Sequence, residues 1–68
     1  MRDINRIYPL CNEIARLWSD CPDLRFMQLL SNFTLWLGRD PFYMEDDEFL
    51  EQFTEYIKLC KMQYKRED

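Results

Sequence analysis

The stretch Trp18-Ser19-Asp20-Cys21-Pro22-Asp23-Leu24-Arg25-Phe26-Met27-Gln28-Leu29-Leu30 holds a helix stop, a cap and the start of a new apolar face within thirteen residues. Pro22 pushes the residue before it away from the α region and so ends whatever helix reaches Ser19. Asp23 then stands where a side-chain oxygen would cap a second helix. From Leu24 to Leu37, the residues Phe26, Leu29, Leu30, Phe33, Trp36 and Leu37 recur at helical spacing on a face broad enough to touch two neighbours, which predicts a central helix. Gly38, the one glycine of the chain, falls just past that pattern, where a left-handed C-terminal cap needs it.

Upstream, Ile4, Ile7, Cys11, Ile14 and Trp18 repeat every three or four residues, with Leu10 and Leu17 widening the stripe. Pro9 interrupts this pattern off its apolar side. A single helix capped by Asp3 and bent at Pro9 is therefore expected, in preference to one that begins near the proline. Downstream, Arg39-Asp40-Pro41-Phe42-Tyr43-Met44 reads as a connector, with Phe42 folded back as a plug on the core and Tyr43 partly exposed. A third helix starts within Glu45-Asp46-Asp47-Glu48 and ends among Lys58, Lys61, Lys65 and Arg66, so its charges suit the helix dipole at both ends. Its inward face is Phe49, Leu50, Phe53, Tyr56, Ile57, Cys60 and Tyr64. The expectation is an all-α fold, a compact three-helix domain spanning residues 1–68 with helices over roughly 4–19, 23–37 and 45–64.

A chain of 68 residues forms one small domain, and such domains bury only about 60% of the surface their unfolded chains expose. Two Trp, four Tyr and five Phe are a heavy aromatic load for so small a core. Some of these rings are expected to remain partly exposed, as interface aromatics do. The net charge of −4, with no basic stripe, argues against direct binding to nucleic acid. Cys11, Cys21 and Cys60 are odd in number and widely spaced, which predicts reduced thiols in a cytoplasmic protein, with Cys11 and Cys60 on apolar helix faces. The opening Met1-Arg2-Asp3-Ile4-Asn5-Arg6 is charged and predicts no secretory leader, and no apolar run is long enough for a membrane span.

Catalytic chemistry finds little to work with. The absence of histidine removes the usual general base, the usual partner of a nucleophilic Ser or Cys, and the commonest transition-metal ligand. Three separated cysteines without a CxxC pair do not make a zinc site, and a single glycine does not make a phosphate-cradling loop. The carboxylates of Glu45-Asp46-Asp47-Glu48 are the residual candidates for a divalent-metal enzyme, but neighbours on a helix point apart, and the aspartate alternation and central glycine of a calcium loop are missing. Cys21 near the second helix's start could be a thiol of lowered pKa, with no base beside it. The Cys21-to-Asp23 turn between two helices also admits a helix-turn-helix, although Arg25 and Gln28 would give its recognition helix little positive charge. No enzyme, cofactor or metal site is expected.

Three phrases carry a resemblance. Arg2-Asp3 with Arg6-Ile7, then Trp18 followed by Pro22-Asp23-Leu24-Arg25-Phe26 with Gln28-Leu29-Leu30 and Asn32, and finally Asp40-Pro41-Phe42-Tyr43 with Glu45-Asp46-Asp47 together resemble a family of short uncharacterised proteins of bacterial and phage genomes. The resemblance spans most of the chain. It implies a bacterial or phage cytosolic setting and supplies no catalytic residue, substrate or partner.

The expected function is therefore non-enzymatic protein binding. Trp18, Trp36 and Tyr43, with the acidic Asp46 and Asp47, are the candidate partner-binding residues, and the partner is another protein or a second copy of the chain in a homodimer, not nucleic acid or membrane. The alternative is a phage-encoded acidic inhibitor that occupies the basic nucleic-acid groove of a host enzyme.

Overall fold

The computed structural model describes residues 2–66, with side chains through residue 62. Its helices are α1 (Ile7–Trp18), α2 (Phe26–Leu37) and α3 (Asp46–Arg66), and a 3-10 turn over Ile4–Arg6 leads into α1. The all-α, three-helix architecture is as the apolar spacing predicts. No helix among the described residues is long and apolar enough to cross a membrane.

The single bent helix expected across Pro9 is replaced by the 3-10 turn followed by α1, whose first turn holds the proline. The physical reason is that N–H groups in a helix's first turn have no intrahelical acceptor, so proline there forfeits nothing. Asp3 does cap the start: its carboxylate accepts from the Asn5 N–H at 2.9 Å. Asp23, by contrast, caps nothing. Cys21-Pro22-Asp23-Leu24 closes as a turn, with the Leu24 N–H donating to the Cys21 carbonyl, and α2 begins two residues beyond it. Arg25 is the N-cap residue, and Gln28 supplies the side-chain acceptor for its N–H at 2.9 Å. Gly38 closes α2 in the left-handed conformation, φ +78°, donating its N–H to Thr34.

Ion pairs give the helix directions. Arg6 meets Asp46 where α1 and α3 start, and Lys61 meets Asp20 where α1 has ended, so α1 and α3 run parallel with α2 returning between them in the chain. The predicted central role of α2 is corrected. The longest helix, α3, packs against both others, whereas α1 and α2 meet chiefly where the Trp18 ring lies 5.4 Å from Phe26.

The core is Leu17, Cys21, Leu29, Phe33, Phe53, Tyr56 and Ile57, with Ile14, Trp18, Leu24, Leu37, Phe49, Leu50 and Cys60 packed around it. Phe33 is its centre. Its ring sits edge-on to Phe49 and Phe53 at 5.4 Å and to Tyr56 at 5.9 Å, while Phe49 and Phe53 stack on each other at 5.1 Å. Such pairs add about 0.5–1.5 kcal/mol each beyond their buried area. The inward face predicted for α3 is therefore observed through Cys60, and Tyr64 lies outside the described side chains.

The apolar stripe of α1 is only half used. Leu17 is buried and Ile14 and Trp18 pack on the core, but Ile4, Ile7 and Cys11 are exposed. Because α1 and α2 meet chiefly near Trp18 and Phe26, the opposite end of α1 has mainly α3 beside it, and the segment leading into α1 is joined to the start of α3 by the Arg2–Glu45 and Arg6–Asp46 ion pairs. Cys11 thus loses the buried position its spacing predicts.

Candidate functional site

The connector between α2 and α3 is a tightly built turn that holds two aromatic rings in solvent. Gly38 ends α2 and redirects the chain. The Asp40 carboxylate then accepts from the Phe42 N–H at 3.1 Å, an Asx turn of the kind aspartate favours. The Met44 N–H donates to the Pro41 carbonyl at 2.9 Å, so Pro41 to Met44 form a turn with Phe42 and Tyr43 at its two central positions. Pro41 and Met44 are half-buried, which anchors the turn at both feet. Arg39 ties the whole connector to α3 through Glu48 at 2.8 Å.

At the tip, Phe42 is 76% exposed and Tyr43 is 89% exposed. Their rings pack edge to face, 4.8 Å apart at 84°. Phe42 is thus not the core plug that its size predicts. The reason is local: with Pro41 and Met44 drawn inward, the two central residues of the turn have no backbone direction left but outward. Phe42 is the functional candidate that sequence reasoning missed. The signal was present in the proline at the first foot of the turn and the aspartate before it, which mark a turn tip more strongly than ring size marks a core position.

The acidic start of α3 lies directly after this knob, and most of its charge is already matched. Arg2 grips Glu45 with two hydrogen bonds of 2.7 and 3.0 Å, and this contact holds the Glu45 carboxyl below its ordinary pKa and raises that of Arg2. Arg6 meets Asp46 at 2.7 Å. Asp47 makes no ion pair among the described residues, and its carboxylate accepts from the Glu48 N–H. The four side chains do not converge. No group of three or more Cys, Asp or Glu placed to hold a metal ion occurs among the described residues.

The five partner-binding candidates fall in different places. Tyr43, Asp46 and Asp47 lie together around the connector and the first turn of α3. Trp36, 38% exposed, leans on Phe33 at 6.0 Å and on Tyr56 at 5.6 Å, and has no ring contact with Phe42 or Tyr43. Trp18 belongs to the other end of the molecule. Its indole N–H donates to the Leu24 carbonyl at 2.9 Å, and its ring fills the α1–α2 junction.

Cys21 is fully buried, and desolvation pushes its thiol up to about 11, with Cys60 adding to the shift. The lowered pKa considered for it is thereby overturned: the position near α2 that would favour a thiolate matters less than the loss of water.

Compared with known proteins, the chain matches no family model, no curated protein and no solved structure.

Proposed function

We propose that this protein is a non-enzymatic interaction module of a bacterial or phage cytosol, which docks on another protein through the Phe42–Tyr43 knob. One observation carries the reading: two large rings are held in solvent by a turn whose backbone hydrogen bonds, proline and ion pair already fix their position. A preorganised anchor loses little entropy on binding. Aromatic side chains of about 150–250 Å² each, buried at about 25 cal/mol per Å², supply on the order of 5 kcal/mol or more, which is the scale of an interface hot spot. The partner that fits is a protein with an apolar pocket.

Asp40 and Asp47 beside the knob favour a pocket with a basic rim. The inhibitor reading, which needs a dense acidic surface to imitate a phosphate backbone, has less support, because Arg2, Arg6 and Arg39 sit on three of the four carboxylates of the α3 start.

The test is affinity capture from a bacterial host lysate at low and high salt, with a Phe42→Ala, Tyr43→Ala double variant as control. A partner retained at high salt and lost from the variant is the expected result. Capture that is equal with the variant would overturn the reading, and capture of a nucleic-acid enzyme abolished by salt would favour the inhibitor.

A further inference from the structure

Two of the three thiols meet at one end of the core, far along the chain from the Phe42–Tyr43 knob. Cys21 sits in the turn between α1 and α2 and is fully buried, while Cys60, in the second half of α3, is half-buried against the same core cluster. Cys60 is a hydrogen-bonding neighbour of the Cys21 thiol. A contact that involves no sulfur repeats this pairing one residue away on each element: the Lys61 ammonium meets the Asp20 carboxylate at 3.6 Å. Two successive residues of the turn are thus matched with two successive residues of α3. Cys11, the third thiol, is exposed on α1, seven residues and about 10 Å of helix rise before that helix ends.

The order of the helices gives the pair a mechanical meaning. α2 and α3 run antiparallel and are joined by the connector at one end, and Cys21 and Cys60 stand at the other, open end. A bond between them would close this hairpin into a ring that includes Leu29, Phe33, Phe53, Tyr56 and Ile57 of the buried core.

We propose that Cys21 and Cys60 form a reversible modification site for low-molecular-weight disulfides, in which Cys60 takes the incoming sulfur and Cys21 resolves it into a Cys21–Cys60 bridge. Burial assigns the two roles. Cys60 keeps some access to solvent and can meet a small reagent, whereas Cys21 has none and can meet only its neighbour. In the first step the Cys60 thiolate attacks one sulfur of the disulfide. A mixed disulfide forms on Cys60, the reagent's own S–S bond breaks, and its second sulfur leaves as a thiolate that takes up the proton Cys60 lost. In the second step Cys21 gives up its proton and its Sγ attacks the Cys60 Sγ, and the remaining half of the reagent leaves as a thiol. The two protein thiols lose two electrons and two protons, and one disulfide becomes two thiols. The backbone allows it: Cys21 lies in a turn closed by a long 3.4 Å hydrogen bond from the Leu24 N–H, so the turn can shift to reach bridge geometry while α3 holds Cys60 in place.

The test uses the full chain with Cys11→Ser, which removes the exposed thiol, in a buffer of reduced and oxidised glutathione at neutral pH, with and without denaturing urea. Samples quenched in acid are read by intact mass and peptide mapping. The expected product has lost two hydrogens and maps to Cys21 linked with Cys60, after a transient glutathione adduct on Cys60. The equilibrium ratio of bridged to reduced chain is expected to fall at least about tenfold in urea, where the fold no longer holds the thiols together. Dithiothreitol should restore the reduced mass. The bridged chain should keep its helicity and unfold at a higher urea midpoint than the reduced one, because the ring restricts the unfolded chain. In the wild type the same bridge is expected, with Cys11 carrying glutathione alone. A glutathione adduct that persists on Cys60, a bridge through Cys11, an equal ratio in urea, or a bridged chain that unfolds before the reduced one would each overturn the assignment.

Discussion

The indole N–H of Trp18, at the end of α1, donates to the carbonyl of Leu24 across the turn that begins α2, at 2.9 Å. The bond links the two helices at the place where they chiefly meet, and it satisfies a carbonyl that the half-buried Leu24 would otherwise leave without a partner in this junction. Trp18→Phe keeps a ring against Phe26 and removes the donor. We expect it to lower stability by about 1–2 kcal/mol, read as a shift in the urea midpoint at unchanged slope. A midpoint that does not move would show that water replaces the indole without loss.

Gly38 offers a cleaner separation of backbone from packing. Its φ is +78°, and a β-carbon built there would find nothing within 4 Å. Any cost of substitution is therefore conformational. Gly38→Ala should destabilise by about 1 kcal/mol and Gly38→Val by more, since β-branched residues tolerate the left-handed region least. Thermal unfolding of the two variants checks the order. Equal effects would mean that the cap relaxes to another conformation.

Gly38 and Trp18 also mark how far the sequence could be read. The glycine cap, the three apolar rows and the helix stop at Pro22 are properties of a few residues and their spacing, and they emerge in the structure where spacing puts them. Asp23 and Phe42 do not. Each depends on which way a turn faces, and that is decided by hydrogen bonds such as Leu24 to Cys21 and Met44 to Pro41, not by residue type. The exposure of Ile4, Ile7 and Cys11 was illegible for a further reason: a stripe tells which side of a helix is apolar but not how far along it a neighbour extends.

Phe33 and Phe42 carry the same side chain in opposite surroundings. Phe33 contacts four aromatic rings at the centre of the core, and Phe42 contacts Tyr43 in solvent. Phe33→Ala is expected to cost about 3–5 kcal/mol, a large part of what so small a domain possesses, whereas Phe42→Ala should stay within about 0.5 kcal/mol. Guanidinium unfolding of both variants measures the contrast. A large loss in Phe42→Ala would return that ring to the core and remove it as a docking anchor.

The buried thiol of Cys21 predicts the response to alkali. Desolvation raises it to about 11 in the folded chain, against an ordinary value of 9.0, and burial first, then Cys60, raises Tyr56 in the same direction. The folded state therefore keeps both groups neutral to a higher pH than the unfolded chain does. Between pH 9 and 11 the unfolded thiol has lost its proton while the folded one retains it, so the folded state binds more protons and stability falls as pH rises. The contribution is complete below pH 9 and is lost progressively up to 11, and a shift of this size is worth on the order of 2 kcal/mol. Urea midpoints across that window should fall in the wild type and fall less steeply in Cys21→Ala, whose midpoint starts lower because the side chain it loses is fully buried. In the native protein at neutral pH, the exposed Cys11 should react with a maleimide first and Cys21 last, at a rate set by unfolding. A flat pH profile, or labelling of Cys21 as fast as Cys11, would mean that the α1–α2 turn opens far more readily than its packing implies.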